Sequence, residues 1–114
     1  MNIDRIQPGI WNSRAVVHDN LVFLSGIVAD DKSLPMKEQT EQVLKKIDTV
    51  LAAAGTDKSR ILSSVVYLAD IARKDEMNEA WMAWMDKENP PARAAVGVAL
   101  TPGTLVEIMV CATK

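Results

Sequence analysis

The spacing of apolar positions changes several times along the chain, and each change predicts an element. The clearest pattern runs up to Gly55. Met36, Thr40, Val43, Leu44, Ile47, Val50, Leu51 and Ala54 recur at helical intervals, with charged and amide residues between them. That is the stripe of an amphipathic helix. Ser33 can cap it, Pro35 suits its first turn, and Gly55 suits the position just past its end. A second stripe, Met77, Ala80, Trp81, Trp84 and Met85, predicts a helix over about 73–88, stopped by Pro90-Pro91.

Elsewhere the pattern belongs to strands. Residues 2–6 alternate weakly and are closed by Pro8-Gly9. Residues 13–29 read as two strands about Asp19-Asn20, a hairpin turn. Gly26 follows "LVFLS", where a missing side chain lets something approach the backbone closely. Residues 59–70 are β-branched and bounded by polar positions. Two further strands, about 92–100 and 104–112, meet at "TPGT", a natural turn.

The predicted order is β-β-β-α-β-α-β-β, an α+β fold of two layers: a mixed sheet of about six strands backed by two helices. No repeat, low-complexity tract or linker divides it, so residues 1–114 read as one domain. Helices on one face leave the other uncovered. If that face is apolar, another subunit must cover it.

Charge then changes the picture locally. Charged residues make up 25% of the chain, yet from Pro90 to Val106 the only one is Arg93, and Glu107 stands alone until Lys114. By strand parity Arg93, Ala95, Gly97 and Ala99 share one face, and Glu107 shares its face with Leu105, Met109 and Cys111. If the two strands pair about "TPGT", Arg93 and Glu107 meet within one site. An arginine there offers a rigid donor fork for a carboxylate or phosphate, and a glutamate nearby can orient a water or move a proton. A structural Arg–Glu pair, or an arginine whose head reaches solvent, is the commoner use of such residues. Pattern alone leaves all of these open.

Other residues carry less. His18 beside the Asp19-Asn20 turn reads as a surface residue, and Cys111 as a small hydrophobe among core positions. Trp81 and Trp84 belong to the second helix stripe. Asn78 neighbours that stripe and could project toward a site. Ser25-Gly26 lacks the surrounding glycines of a nucleophile elbow.

Some function classes recede. Net charge is −2 with no Lys/Arg stripe, so the electrostatic footprint of a nucleic-acid binder is missing. One cysteine and one histidine give neither an internal disulfide nor a zinc site. The "MNIDRIQPGIW" start is unlike a signal peptide, and no apolar run approaches the ~20 residues that span a bilayer. The expectation is a reduced, cytoplasmic protein with no nucleic-acid or membrane partner.

"EQTEQVLKKIDTVLAAAG", "MNEAWMAW", "PPARAAVGV" and "VEI" stand in the order and spacing of the Rid family, the reactive intermediate deaminases or YjgF-type proteins. The resemblance runs from "LVFLSG" through the terminal "VEIMVCA". It implies a chorismate-mutase-like fold assembled as a homotrimer, with clefts between subunits. It also implies hydrolysis of enamines and imines, the 2-imino acids released by amino-acid dehydratases and other pyridoxal-phosphate enzymes. The products are a 2-oxo acid and ammonia, and no cofactor or metal is needed.

By the same resemblance Arg93 matches the arginine that binds substrate carboxylate, and Glu107 the glutamate associated with the attacking water. Gly26 matches a glycine that contacts ligand through its backbone, and Asn78 a helix asparagine. Asn12, with Trp11 adjacent, stands where well-known members have a tyrosine, and Ala95 where they have a cysteine. The interval from Arg93 to Glu107 is one residue shorter. A second reading keeps the same cleft as a non-catalytic binding site for 2-oxo acids or related carboxylates. A third, nuclease or translation-inhibitor activity, fits poorly with the near-neutral charge.

Overall fold

The two apolar stripes form two helices, and both pack on one face of a single mixed sheet. The computed structural model describes residues 2–114. Along the chain run β1 (Ile3–Pro8), β2 (Ser13–His18), β3 (Leu21–Leu24), β4 (Ile27–Val28), α1 (Met36–Ala53), β5 (Ile61–Leu68), α2 (Lys74–Trp84), β6 (Ala92–Gly97) and β7 (Val106–Thr113). The strands lie in the order β1-β2-β3-β7-β5-β6, with β4 also on β7. Among the described residues only β5 and β6 pair in parallel. This is the two-layer α+β arrangement expected, with one short strand more.

That extra strand comes from a bulge. Phe23 of β3 pairs with Cys111 and Ile27 of β4 with Ile108. Four steps along one strand therefore oppose three along the other, and Ser25-Gly26 fall in the excess. A bulge bends its strand and re-aims the side chains around it.

β7 follows every other strand in the chain but sits in the middle of the sheet, antiparallel to β3, β4 and β5. β4 and β5 thus run in the same direction on either side of it, and α1 is the crossover between them. α2 is likewise the crossover from β5 to β6, since parallel strands need a long connection. The expected hairpin about "TPGT" does not form. β7 already holds one side of β5, and α2 returns the chain to its other side, so β5 separates β6 from β7. The intervening segment bridges the end of β5: Val98 N–H donates to Leu68 O (2.9 Å) and Ala69 N–H to Leu105 O (3.0 Å).

The helix ends show which local signals prevail. At the start of α1, Pro35 takes the cap position without a side-chain hydrogen bond. Ser33 is not the cap; its N–H (3.0 Å) and hydroxyl (2.5 Å) both donate to Asp31 Oδ1 in the turn before. At the other end Gly55 adopts φ 86, as expected of it. Thr56 N–H donates to Leu51 O and Gly55 N–H to Ala52 O, both at 3.0 Å, the paired bonds of a Schellman motif. α2 stops at Trp84 rather than running to the prolines. Asp86 draws the next residues into a turn, accepting from Glu88 N–H and Asn89 Nδ2, both at 3.0 Å.

All eight stripe positions, the last of them Ala54 just past α1, are buried, and the apolar ones share one core with Val66, Leu68, Val106, Ile108 and Val110 of the central strands. The open face of the sheet is different. Leu21, Phe23, Val96 and Met109 are each 40–47% exposed there. No helix of the described residues is long and apolar enough to cross a membrane.

One buried polar residue escaped the apolar pattern. Gln39 is wholly buried, and its Nε2 donates to Lys32 O (3.3 Å), Leu34 O (3.0 Å) and Gly103 O (3.0 Å). Its Oε1 accepts from Leu105 N–H (3.0 Å). One amide thereby ties the segment before α1 to the segment before β7. Gln39→Leu keeps the volume but strands these partners without water, which should cost on the order of 3 kcal/mol. A urea titration at fixed protein concentration should show a lower midpoint with an unchanged slope. An unchanged midpoint would mean that the two segments satisfy each other without the amide.

Candidate active site

Arg93 enters β6 directly after Pro90-Pro91, which hold the chain extended. Its register partner on β5 is Ser64, only 3% exposed and turned toward the helices. Arg93 therefore leaves the sheet on the helix side. There its guanidinium sits over the ring of Trp81 of α2, with Cζ 5.1 Å from the ring centroid. Nη1 also contacts Met77 Sδ at 3.8 Å. Arg93 makes no salt bridge among the described residues. Burial pushes its pKa below the usual arginine value, because the charged form loses hydration; an arginine nevertheless stays charged. Asn78, half-buried on α2, sits beside Met77 and one turn before Trp81.

Glu107 stands elsewhere. It pairs with Tyr67 on β5 and with Val28 on β4, between the buried Val106 and Ile108. Its side chain leaves by the open face. The carboxylate lies against Gly26: a Cβ at that position would fall 2.2 Å from Oε2 and 3.0 Å from Cδ. The close approach expected at Gly26 is made by this side chain. Gly26 has no positive φ, so its missing side chain, not its backbone freedom, is what the contact uses.

Arg93 and Glu107 are thus not one site within a chain. They lie two strand spacings apart, about 10 Å, three register positions along β5, and on opposite faces. Parity read from two strands alone could not see the strand between them. The remaining candidates lie at the β1–β2 hairpin tip, where Trp11 is 93% exposed and Asn12 is exposed. Asn12 O accepts from Gly9 N–H (2.7 Å). Two residues on, Arg14 O accepts from Ser25 N–H (2.9 Å), so the tip and Gly26 stand at the same end of the sheet.

Comparisons with known proteins show the family. The sequence model of the family described as Endoribonuclease L-PSP matches residues 3–114. The chain belongs to this family, the Rid or YjgF-type proteins. A RutC family protein of Haemophilus ducreyi is 43% identical over 111 residues, 96% of this chain and 95% of its own. A human protein named 2-iminobutanoate/2-iminopropanoate deaminase is 36% identical over 103 residues, 84% of this chain and 74% of its own. Among solved structures, a YjgF family member from Neisseria meningitidis superposes with a TM-score of 0.97 at 40% identity, covering 100% of this chain and 96% of that one.

Two groups of candidate residues thus stand on rigid elements of this Rid-family chain. One is Gly26 with Glu107 on the open face; the other is Arg93 with Trp81 and Met77 on the helix side, and Asn78 follows Met77 in α2. Trp81 was read from sequence only as part of a helix stripe. The small residues of "ARAAVG" opposite that stripe are the signal that an aromatic face and an arginine could meet. His18 lies at the hairpin turn as expected, with Nδ1 3.3 Å from Asn2 O. Cys111 alternates with core positions but faces the open side beside Phe23 and Met109.

The Gly26–Glu107 contact makes a direct prediction. Gly26→Ala meets only the far end of a flexible side chain, so the protein should fold with a melting temperature within a few degrees of the parent. The Glu107 carboxylate must swing away. If Glu107 acts in proton transfer, imine turnover should fall by about 10²-fold. A variant that melts and turns over like the parent would remove the close contact from any functional account.

Proposed function

We propose that this chain is a cofactor-free deaminase that hydrolyses 2-imino acids, and their enamine tautomers, to 2-oxo acids and ammonia. The observation that carries this reading is the Arg93 guanidinium, half-buried and held against Trp81 yet without a carboxylate partner among the described residues. A buried charge without its counterion is costly, and an anionic ligand would relieve that cost. The relatives named 2-iminobutanoate/2-iminopropanoate deaminase support the choice of anion and reaction.

In this reading Arg93 binds the substrate carboxylate bidentately and leaves the adjacent imine carbon facing Glu107. Glu107 takes a proton from water as the oxygen attacks that carbon. Glu107 passes that proton to the imine nitrogen, giving a carbinolamine. On collapse the hydroxyl proton moves by way of Glu107 to the amino nitrogen, the C–N bond breaks to release ammonia, and the C–O bond becomes the ketone of the 2-oxo acid. Positioning of this kind carries much of a hydrolysis whose substrate is already reactive. Because Arg93 and Glu107 diverge within a chain, one copy supplies Glu107, Gly26 and the Trp11–Asn12 tip, and a neighbour supplies Arg93 and Asn78. The apolar residues on the open sheet face support such an assembly, which we take to be a homotrimer. Carboxylate binding without turnover is the rival reading, and Glu107 decides between them.

Three measurements test this proposal. Sedimentation equilibrium at micromolar concentration should give a trimer; a stable monomer would refute a shared cleft. Arg93→Ala should weaken binding of 2-oxobutyrate by about 2–4 kcal/mol in titration calorimetry, and Arg93→Lys should rescue it poorly, since an ammonium lacks the planar fork. Glu107→Gln should lower turnover of an imine generated in situ by about 10²–10⁴-fold while 2-oxobutyrate still binds. Unchanged turnover in a stable Gln variant would leave the chain a binder.

A further inference from the structure

The stack beneath Arg93 continues past Trp81. Trp84 lies one turn further along α2, its ring 5.5 Å from that of Trp81 and tilted by 58°. Its indole N–H donates to both carboxylate oxygens of Asp48 on α1, at 3.0 Å each. From the other side Lys58 Nζ lies 5.4 Å from the Trp84 ring and donates to Trp84 O (2.6 Å). Asp48, Trp84, Trp81 and Arg93 therefore form one line of contacts from α1 through α2 to the edge strand β6. Trp81 itself is 3% exposed, its ring buried between Trp84 and Arg93.

A guanidinium can be held in two ways. A carboxylate partner fixes it but occupies its donor edge and neutralises it. An aromatic face fixes it from below, through attraction to the ring's negative face, and leaves the donor edge free. Arg93 is held in the second way, with a soft sulfur, Met77 Sδ, as the only atom meeting an N–H among the described residues.

We infer that Trp81 is a positioning residue: its indole face holds the Arg93 guanidinium in one orientation, so that the donor edge stands ready for the substrate carboxylate. This rests on the reading of Arg93 as the carboxylate anchor. Trp81 itself touches no reacting atom in this account. It lowers the disorder that the arginine would otherwise lose on binding, the usual benefit of preorganisation. Tryptophan serves best because its face attracts cations most strongly, phenylalanine less, and leucine not at all.

The test compares Trp81→Phe with Trp81→Leu, using 2-oxobutyrate as the probe. Titration calorimetry should show binding weakened about 10-fold in the Leu variant and only a few-fold in the Phe variant. Nitrogen-15 NMR of the Arg93 Nε–H, assigned by its loss in Arg93→Lys, should show a ring-current shift that Phe partly keeps and Leu abolishes. A purely structural Trp81 would lower melting temperature in both variants but would not order their affinities by aromatic face. If a folded Leu variant binds 2-oxobutyrate like the parent, the role of Trp81 is overturned. If Arg93→Ala also binds like the parent, the anchor reading itself has failed; if only Arg93→Ala loses binding, the anchor stands and Trp81 does not. Should Leu prevent folding, fluorinated tryptophans placed at position 81 by nonsense suppression weaken the ring face at nearly constant shape. Affinity should then fall stepwise with fluorine number, and a flat series would overturn the proposal.

Discussion

The side chain on which most else depends is the amide of Gln39. β7 can serve as the spine of the sheet only if the segment leading into it is fixed at the correct height beside β5. That segment has no regular structure of its own. Its Gly103 carbonyl and Leu105 N–H are satisfied by one glutamine on α1, which also grips the chain before that helix at Lys32 and Leu34. A buried amide with every partner in place specifies one arrangement, because a shift by a single residue would leave several polar groups without water or protein. The register of β7 follows, and with it the position of Glu107.

From that register comes the division of the chemistry between two faces. A single sheet with all its helices on one side has one dry face and one open face, and side chains alternate between them. Glu107 falls between buried core positions and so must point outward. Arg93 pairs with an inward-turned serine and so must point toward the helices. The chain meets the cost of that inward charge with an aromatic ring and a sulfur rather than a carboxylate. An arginine satisfied by its own glutamate would be quieter in the folded state and less available to anything else.

Much of this was legible in the sequence, for reasons that can be named. The stripes of α1 and α2 follow from burial on one helix face, and the Schellman turn at Gly55 follows from a backbone conformation that glycine adopts without strain. The close approach at Gly26 was legible too, though not what makes it. What failed were inferences that assumed sequence neighbours are spatial neighbours. β6 and β7 flank "TPGT", yet β5 lies between them, because parallel pairing through α2 was available and hairpin pairing was not. Ser33 had the chemistry of a cap, but Asp31 two residues earlier engages it first. Gln39 was invisible since a polar residue at a stripe position looks like an interruption of the pattern. Of the candidate residues, Gly26 and Glu107 are brought together, Arg93 stands on the other face against α2, which also carries Asn78, and Trp11 with Asn12 lie at a hairpin tip. No period in the chain encodes which face of a sheet a given strand will turn to a neighbour.

The placement of β7 has a consequence for how the molecule is made. A ribosome delivers β1, β2 and β3 early, and these can pair as hairpins at once. β3, β4 and β5 cannot join into one sheet until the strand that separates them has been synthesised, and it comes after all of them. Until then the inner edges of β3 and β5 present unpaired backbone and apolar side chains, a surface inviting wrong partners. The nascent chain therefore reaches its last strand as two unfinished half-sheets, and its apolar layer closes in a single late step. Folding of this protein should be governed by long-range closure rather than by its helices.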